Sequence, residues 1–389
     1  MYCTAEAGSI GYNWTFSPCV DLAVEPDSPV VGLRSAGKDP QHVIKMAGAY
    51  MRGMQDSGMM ATIKHFPGDG YTTWDQHLTT PVSNLTKDDW WNGPGRVYQD
   101  LINEGVVAVM PGHIALPAYD VADVRGNHPP ATVSKRLLQD VLRVEMGFKG
   151  LVVTDAISMG GLVGYVNYYD ACADALESGC DMLLFPRINE RFYEQMEKRL
   201  TSGRLTMETL RERARRVLAL KEQRGLLNDA PKMHLPVDQQ KQQEVAADMV
   251  GRSITVVRDR HGLLPFRIKR GTRILHVVIM NNADRYTDLL LRMKNELAKY
   301  SDHVQQWIDP GPDRLFDAAM DTFDLILCSI GNQAKWPECS PTARRSCSKH
   351  DEGLEQAWDA SNFRLSLSSV CAQRIPSFDR HNHQYVRRY

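Results

Sequence analysis

The first half of the chain alternates short apolar runs with longer amphipathic runs, and this alternation limits the fold more than any other feature. The apolar runs predict five strands, centred near residues 14, 62, 108, 152 and 184. Apolar residues at helical spacing predict helices at 40–57, 86–104, 134–146, 168–178, 189–202 and 206–222. Continuously apolar strands that alternate with helices are typical of a parallel sheet covered by helices. The sequence therefore predicts an α/β fold.

Every predicted strand except the last is followed by a loop that contains polar side chains. These loops hold Asp21 and Arg34, the stretch KHFPGDGYTTWDQH at 64–77, His113 and Asp155. Polar groups at successive strand ends favour a TIM-type (β/α)8 barrel, because an open doubly wound sheet concentrates its site at one switch point. A barrel of this type has eight strands. The predicted strands therefore imply a barrel that lacks its first strands.

A polar, proline-containing stretch separates this region from a second one. We predict a partial barrel at 1–227, a linker at 228–243, a smaller αβα sandwich domain at 244–335 and an irregular tail at 336–389. In the second domain, the sequence predicts helices at 244–252 and 286–299, and strands at 254–257, 274–280 and 324–330. The tail has little periodicity, which indicates either a disordered segment or a shift of reading frame in its coding sequence.

Charge and cysteine content bear on the expected partners and compartment. The 46 lysines and arginines nearly balance the 47 aspartates and glutamates, so neither nucleic acid nor a charged membrane surface is an expected partner. No run approaches the roughly 20 apolar residues that a membrane-spanning helix needs. The eight cysteines form no CxxC pair, which is typical of thiols in a reducing compartment and slightly favours the cytoplasm. The composition does not indicate an oligomeric state.

The stretch from Lys64 to His77 concentrates chemically active side chains. Lys64 and His65 end a strand, where a buried lysine needs either an ion-pair partner or the hydroxyls of a ligand. Asp75 and His77 are one residue apart, so their side chains point the same way in an extended loop. The carboxylate can hold one imidazole nitrogen while the other transfers protons. Taken alone, such a pair is more often a surface hydrogen bond.

Asp155 lies between the apolar run GLVVT and the small, flexible AISMGG. A carboxylate at the end of a barrel strand can face a substrate and act as a nucleophile. A cap of the following helix or turn is an equally good explanation of the same pattern. Arg34 and His113 also lie in strand-end loops, and for either residue alone a structural role is the commoner one.

A metal site is an alternative for part of this set. His65, Asp69, Asp75 and His77 offer suitable ligand atoms, but their spacing matches no known zinc pattern. We therefore expect neither a metal ion nor an organic cofactor.

Taken together, these motifs resemble glycoside hydrolase family 3, in its β-N-acetylhexosaminidase branch. The motifs, which fall in the family's order, are SPCVDL with GLRSAGKDP, KHFPGDG with DQH, VMPGHIALPA, and GFKGLVVTDAISMGG followed by ALESGCDMLL. The resemblance covers about 9–330 and is strongest over 12–225. It implies a β/α barrel followed by an α/β sandwich, and a retaining mechanism that passes through a covalent glycosyl-enzyme.

The resemblance also implies roles for individual residues in catalysis. Asp155 would be the nucleophile, and His77, paired with Asp75, would be the acid/base. The expected reaction releases terminal β-linked N-acetylglucosamine from small glycans such as cell-wall or chitin fragments. A phosphorylase that uses the same residues is an alternative, because a histidine acid/base does not repel phosphate.

In the resemblance, Arg34, Lys64 and His65 fall where the family holds the sugar, and we expect His113 to join them in binding substrate. Two departures from the family pattern matter. Asp69 stands where this branch commonly has a histidine, in KHFPGHG. The family's first three strands, with a VDQEGG-like segment, are also absent, so a catalytically incompetent fragment is a further alternative.

Overall fold

The structure is a computed structural model that describes residues 2–121, 126–227, 237–260, 262–280, 283–311, 323–331 and 365–368. The chain divides into two compact units, Met1–Val245 and Ala246–Tyr389. Of the predicted linker at 228–243, the structure describes residues 237–243. The predicted division into domains therefore stays a prediction, and each unit is described by itself.

The described part of the first unit contains a parallel sheet. Its strands are β1 (Thr62–Phe66), β2 (Ala108–Pro111), β3 (Leu151–Ala156) and β4 (Met182–Leu184). They lie side by side in chain order, and each neighbouring pair is parallel. Sequential order with helices between the strands confirms the predicted α/β class. It also brings the carboxyl ends of all these strands to one edge.

Most helices of the first unit lie where the sequence predicts them, but two short helices, Tyr2–Ser9 and Gly160–Val163, have no predicted counterpart. The helices are α1 (Tyr2–Ser9), α2 (Pro40–Asp56), α3 (Lys87–Asn92), α4 (Pro94–Asn103), α5 (Gly160–Val163), α6 (Tyr168–Ser178), α7 (Glu190–Thr201) and α8 (Met207–Gln223). A π-helix spans Arg136–Glu145, and short 3₁₀ turns span Gly32–Arg34 and Ala131–Val133. Among the described residues, no helix combines the length and the apolar character needed to cross a bilayer.

Two of the predicted elements differ in the structure. The single helix predicted at 86–104 is broken into α3 and α4, because Gly93 leaves helical geometry (φ −111°, ψ −109°) and Pro94 has no N–H with which to continue α3. The strand predicted near residue 14 is an extended edge segment, 12–20, that joins β1 only through isolated parallel bridges. Pro18, inside this segment, cannot donate to a regular ladder.

Helix α2 shows how local sequence sets an element. The Asp39 side chain accepts a hydrogen bond from the Gln41 N–H, and Pro40 occupies the first turn, as predicted. One face of the helix is buried in the main core, through Val43, Ala47, Met51 and Met54. The exposed residues of the helix are mostly polar, but they also include Met46 and Tyr50. The buried residues of α2 therefore recur at the helical spacing that the sequence shows.

A cluster of aromatic side chains fixes the point where β1 ends. The Phe66 ring meets Tyr98 and Trp90 edge-on, with centroids 5.2 and 6.1 Å apart. All three rings are essentially inaccessible to solvent. The Trp90 indole N–H donates to the carbonyl of Pro67 at 2.8 Å. The loop that leaves β1 therefore starts from a rigid base, since such edge-on pairs add to the stability gained from burial.

In the second unit, a parallel sheet has the strand order β6-β5-β7-β8. Its strands are β5 (Arg273–Met280), β6 (His303–Ile308), β7 (Leu325–Gly331) and β8 (Leu365–Ser368), and α9 (Gln239–Ser253) and α10 (Thr287–Ala298) are its longer helices. A 3₁₀ turn spans Ala283–Tyr286. Helix α9 begins within the predicted linker and crosses the boundary between the two units.

The second unit differs from the sequence-based expectations at three places. The strand predicted at 254–257 is an exposed segment that belongs to no ladder among the described residues, with Ile254 74% exposed. Strand β6 was not predicted, because HVQQWI has too few apolar residues to mark an edge strand. Strand β8 lies inside the predicted irregular tail and pairs with β7. The rest of that tail, and with it the reading-frame hypothesis, lies outside the described residues.

Replacing Asp39 with alanine should lower the free energy of unfolding by about 1 kcal/mol, because the first turn of α2 loses its cap. Urea denaturation followed by circular dichroism measures the change. Asp56→Ala is the matched control, since it removes an exposed acid from the last residue of the same helix, where the helix dipole does not favour negative charge. Equal losses in the two variants would contradict the capping role of Asp39.

Candidate active site

The buried carboxylate of Asp21 lies at the centre of the polar cluster beyond β1. One oxygen accepts from the backbone N–H groups of His65 and Asp69, at 2.9 and 2.8 Å. The other meets His65 Nδ1 at 2.7 Å and accepts from the Cys19 thiol at 3.1 Å. Burial raises the pKa of Asp21, but the charge of His65 and these hydrogen bonds outweigh it and lower the pKa overall. Asp21 is therefore a fixed negative charge.

His65 connects this carboxylate to the end of β3. Its Nδ1 faces Asp21, and its Nε2 lies 3.7 Å from Asp155 Oδ2. An Arg34 guanidinium nitrogen also lies 3.4 Å from Nε2. Nδ1 donates to the Asp21 carboxylate, and Nε2 lies between the Arg34 donor and the Asp155 carboxylate. Arg34 and His65 thus lie together, as predicted.

Asp155 is the fifth residue of β3, and its side chain is 15% exposed. One carboxylate oxygen accepts from the N–H of Ala156 at 2.7 Å. Helix α5 begins five residues later, and its capping position is Met159. The alternative that Asp155 caps the following helix is therefore wrong.

The environment of Asp155 keeps its carboxylate ionised. Burial raises the pKa, but the nearby charges of His65, His113 and Lys64 and the bond from Ala156 lower it below its usual value. The combination is a partly accessible anion surrounded by cationic and donor groups. Such a carboxylate can attack an electrophilic carbon without first losing a proton.

Lys64 lies in β1 and is only partly buried. Burial and the neighbouring Arg34 lower the pKa of the amine, while Asp155, Cys19 and Asp21 act in the opposite direction. Among the described residues, no carboxylate forms an ion pair with Lys64. This leaves the amine available to donate to hydroxyls of a ligand, rather than fixed in the internal ion pair that was the alternative.

Asp75 and His77 form a pair on the loop that follows β1. His77 Nδ1 and the His77 backbone N–H both contact the same Asp75 oxygen, the latter at 2.8 Å. Burial raises the pKa of Asp75, but the bonds from His77 outweigh it and lower the pKa. The carboxylate is therefore ionised and holds Nδ1, which leaves Nε2 on the opposite side of the ring. The side chains are only 9% and 8% exposed, so this pair is not a loose surface contact.

The loop that carries this pair is hydrogen-bonded to the first residues of α5, which begins in the turn after β3. The N–H groups of Gly160 and Gly161 donate to the carbonyls of His77 and Gln76, at 2.8 and 2.9 Å. The Thr80 hydroxyl donates to the Gly161 carbonyl at 2.6 Å. A Cβ on Gly161 would lie 2.5 Å from the Gln76 oxygen, so a side chain there would force the two backbones apart. Asp155 and His77 therefore project from segments that are bonded to each other.

His113 does not have the position expected of a substrate-binding residue. Its side chain is fully buried, with Nδ1 2.8 Å from the Thr132 hydroxyl and Nε2 2.9 Å from the Ala156 carbonyl. Burial lowers its pKa, while Asp155 and the bond to the Ala156 carbonyl act in the opposite direction. Both nitrogens are thus used within the protein. The predicted contact with substrate is corrected to a packing role beneath the end of β3.

The sequence alone assigns no role to two further residues at this site. Asp21 was noted only as a polar residue in a loop, although SPCVDL places it directly after an apolar segment, as GLVVTDA places Asp155. Gln76, 1% exposed, joins Asp69 to the backbone of His113. No sequence pattern distinguishes a glutamine with two such partners from an exposed one.

The site offers one compact group of potential metal ligands within the described residues. The side-chain atoms of Cys19, Asp21 and His65 lie within 4.8 Å of one another. They are already joined by the hydrogen bonds described above, and burial with the nearby Asp21 charge raises the pKa of the Cys19 thiol. A metal-binding thiolate is therefore disfavoured. The other candidate set, His65, Asp69, Asp75 and His77, does not form such a group.

Comparison with known proteins agrees with this geometry. Residues 2–220 match the model of the glycosyl hydrolase family 3 N terminal domain. A beta-N-acetylglucosaminidase/beta-glucosidase of Cellulomonas fimi is 35% identical over 287 residues, which cover 71% of this chain and 50% of that protein. A beta-hexosaminidase of Methylobacillus flagellatus is 36% identical over 182 residues, which cover 46% and 49%. The chain thus spans about half the length of these curated relatives.

Solved structures give the same picture of the fold. A beta-glucoside phosphorylase, BglX, bound to 2FGlc, has a TM-score of 0.78 and 30% identity, and the match covers 87% of this chain and 63% of that one. A family 3 beta-N-acetylglucosaminidase from Paenibacillus sp. str. FPU-7 has a TM-score of 0.78 at 23% identity, covering 94% and 69%. At 23% identity, the likeness to this second structure supports the fold and nothing further.

The sheet of the first unit therefore belongs to the TIM-type α/β fold of the family's N-terminal domain, as the sequence predicted. The family model matches more than half of the 389 residues, and the matched range includes every residue of the cluster around Asp21, Asp155 and His77. This protein is a member of glycoside hydrolase family 3.

Proposed function

We propose that this protein is a retaining exo-β-N-acetylglucosaminidase, which releases terminal β-linked N-acetylglucosamine from small glycans. The observation that carries the proposal is the separation of two chemical roles. Asp155 is held as an anion at the end of β3, while His77 is oriented by Asp75 on an adjoining loop. Retaining hydrolysis needs one nucleophile and one group that first gives and then takes a proton.

In the proposed mechanism, Asp155 attacks the anomeric carbon and displaces the leaving group. His77, protonated on Nε2, donates this proton to the glycosidic oxygen as that bond breaks. It then removes a proton from the water that attacks the glycosyl-enzyme, and Asp155 leaves as a carboxylate. Asp75 holds Nδ1 in both steps, so the ring keeps the same tautomer and orientation. An imidazole in this role also avoids repulsion between two carboxylates.

Polar groups beside Asp155 support binding of the sugar. Lys64 and Arg34 are donors that can reach hydroxyls, and His65, oriented by Asp21, lies against the nucleophile. The preference for N-acetylglucosamine is supported by the names of the relatives, which include beta-hexosaminidase and beta-N-acetylglucosaminidase. One of these names also includes beta-glucosidase. Parallel assays with aryl β-N-acetylglucosaminide and aryl β-glucoside therefore test the sugar specificity.

Asp155→Ala should lower kcat/KM for an aryl β-N-acetylglucosaminide by on the order of 10⁴-fold or more, because the covalent intermediate cannot form. Initial rates at saturating and limiting substrate measure the effect. Asp100→Ala, an exposed acid on α4, is the control and should retain wild-type rates. Turnover by the Asp155 variant within tenfold of the wild type would overturn the assignment of the nucleophile.

His77→Ala should slow hydrolysis by about 10²–10⁴-fold when the leaving group is a simple alcohol, which must be protonated as it departs. The loss should be much smaller for a dinitrophenyl leaving group, which departs as a stable anion. Rates for the two substrates in wild type and variant measure this difference. An equal loss for both substrates would contradict the acid role of His77.

Phosphorolysis is the second candidate reaction, and the likeness to the BglX phosphorylase favours it. The same Asp155 intermediate would then be attacked by phosphate, which an imidazole repels less than a carboxylate would. For the hydrolase we expect free N-acetylglucosamine as the product, with or without phosphate in the buffer. Formation of N-acetylglucosamine 1-phosphate as the main product, detected by ³¹P NMR, would establish the phosphorylase instead.

A further inference from the structure

Strand β3 contains one more residue than β4 at the place where Asp155 lies. Val153 is the partner of Met182 in the ladder. The next partners are Ala156 and Leu184, so three steps along β3 match two steps along β4. An extra residue of this kind is a β-bulge, which bends the strand and changes the direction of the side chains that it carries. The direction of the Asp155 side chain therefore depends on how the bulge is held.

Strand β4 holds one side of the bulge. The Leu184 N–H donates to the Thr154 hydroxyl at 2.9 Å, and the Ile157 N–H donates to the Leu184 carbonyl at 3.2 Å. The Ile157 N–H belongs to the same peptide group as the Ala156 carbonyl. Because this peptide is trans, the carbonyl points away from the N–H and from β4. A donor for the Ala156 carbonyl therefore comes from another part of the chain.

His113 provides this donor. Its Nε2 lies 2.9 Å from the Ala156 carbonyl oxygen, and since a carbonyl only accepts, Nε2 carries a proton and donates. Its Nδ1 lies 2.8 Å from the Thr132 hydroxyl, which is also 3.1 Å from the Gly112 carbonyl. The His113 side chain is inaccessible to solvent. The ring is thus held at both nitrogens.

Ala156 connects this ring to the proposed nucleophile. Its carbonyl accepts from His113, and its N–H donates to one Asp155 carboxylate oxygen at 2.7 Å. Holding the carbonyl limits rotation of the Ala156 backbone, and with it movement of the N–H that binds the carboxylate. His113 therefore acts on Asp155 through the residue between them in the contact chain.

We infer that His113 is a positioning residue: supported by Thr132, it holds the bulge of β3 through the Ala156 carbonyl and so directs the Asp155 carboxylate. The inference rests on the proposed function for the meaning of Asp155. The bonds themselves do not depend on which reaction the site performs. This role goes beyond packing, because an apolar side chain of similar size would fill the space and leave the carbonyl without its donor.

Amide hydrogen exchange of the full-length protein measures the hold on the bulge without any substrate. The Ile157 N–H is the reporter, because it shares a peptide group with the Ala156 carbonyl and donates to β4. The Asp181 N–H, which donates to β3, is the internal reference. His113→Met removes the donor at similar side-chain size. We expect it to lower protection of Ile157 about tenfold and to leave Asp181 unchanged.

His113→Gln separates the hydrogen bond from the shape of the ring, because its side-chain amide carries an N–H at about the reach of Nε2. We expect this variant to keep protection of Ile157 within about threefold of the wild type. Equal losses in His113→Met and His113→Gln would overturn the inference, and so would wild-type protection in His113→Met.

His276→Met is the matched control. His276 is also buried, and its two ring nitrogens lie 2.9 Å from the Ser329 hydroxyl and 3.1 Å from the Gln306 amide, in the second unit. The substitution removes a histidine with similar bonds and does not touch the bulge. It should leave protection of Ile157 at the wild-type level. A loss equal to that of His113→Met would overturn the inference.

Thr132→Val tests the support of the ring, and it also provides the test if His113→Met does not fold. It keeps the shape of the side chain and removes the hydroxyl beside Nδ1. Protection of Ile157 should fall about threefold, because the ring can then turn away from the Ala156 carbonyl. Unchanged protection in this variant would overturn the inference.

The rate of the first turnover measures the consequence for Asp155. With a dinitrophenyl β-N-acetylglucosaminide, the leaving group needs no proton, so attack by Asp155 is observed apart from acid catalysis. His113→Met should slow this step on the order of 10–100-fold, and the substrate concentration at half-maximal rate should change less than about twofold. His113→Gln should recover most of the rate. An unchanged rate with weaker substrate binding would overturn the inference.

The two kinds of measurement separate the inference from the proposed function. Exchange at Ile157 tests the bond from His113 whatever reaction the site performs. A wild-type protein that shows the expected exchange results but does not cleave the substrate would overturn the proposed function and leave the hold on the bulge established.

Discussion

Four hydrogen-bond donors surround the buried carboxylate of Asp21. The arrangement of the site follows from the need of this charge for such donors. A buried carboxylate is stable only when hydrogen-bond donors or opposite charges replace its lost water. Here the donors come from the end of β1, from the loop beyond it and from the edge segment. Satisfying one side chain therefore brings three separate parts of the chain into contact, and it fixes the ring of His65 next to Asp155.

Asp155 and Asp69 show how one small region gives two carboxyls opposite properties. Both are largely buried, which by itself raises the pKa of each. Around Asp155 the nearby charges are those of His65, His113 and Lys64, and the pKa falls. Around Asp69 the nearest charge is that of Asp21, and the pKa rises to about 7. The first is suited to stay ionised throughout a reaction cycle, and the second is suited to change its charge near neutral pH.

Patterns in the sequence predicted the parts of the structure that depend on local spacing. The strand-helix alternation predicted β1 to β4, and Asp39 with Pro40 predicted the start of α2. Predictions failed where the outcome depends on distant partners. The segment 254–257 is apolar enough for a strand but pairs with no ladder, whereas β6 has a weak pattern and is held by β5. Hydrophobic content alone does not decide such cases.

The site shows the same division between local and distant information. Residues near the carboxyl ends of strands, such as Asp155 and Lys64, are predictable because parallel strands bring these ends to one edge. The fully internal bonding of His113 and the bridge through Gln76 depend on Thr132, Ala156 and Asp69, which lie up to 43 residues away in the chain. Such contacts have no signature in spacing or composition. They became visible only with the positions of the side chains.

The main-chain bonds between the loop and the turn after β3 have a consequence for how proteins of this type diversify. The carbonyls of Gln76 and His77 are the acceptors, so the anchoring of the loop does not depend on the side chains of residues 71–74. All four of these residues, Tyr71, Thr72, Thr73 and Trp74, are at least partly exposed. Substitutions among them can alter which molecules approach the site while leaving the proton-transfer pair in place. The loop thus separates side chains that can be exchanged without touching these bonds from the backbone groups that form them.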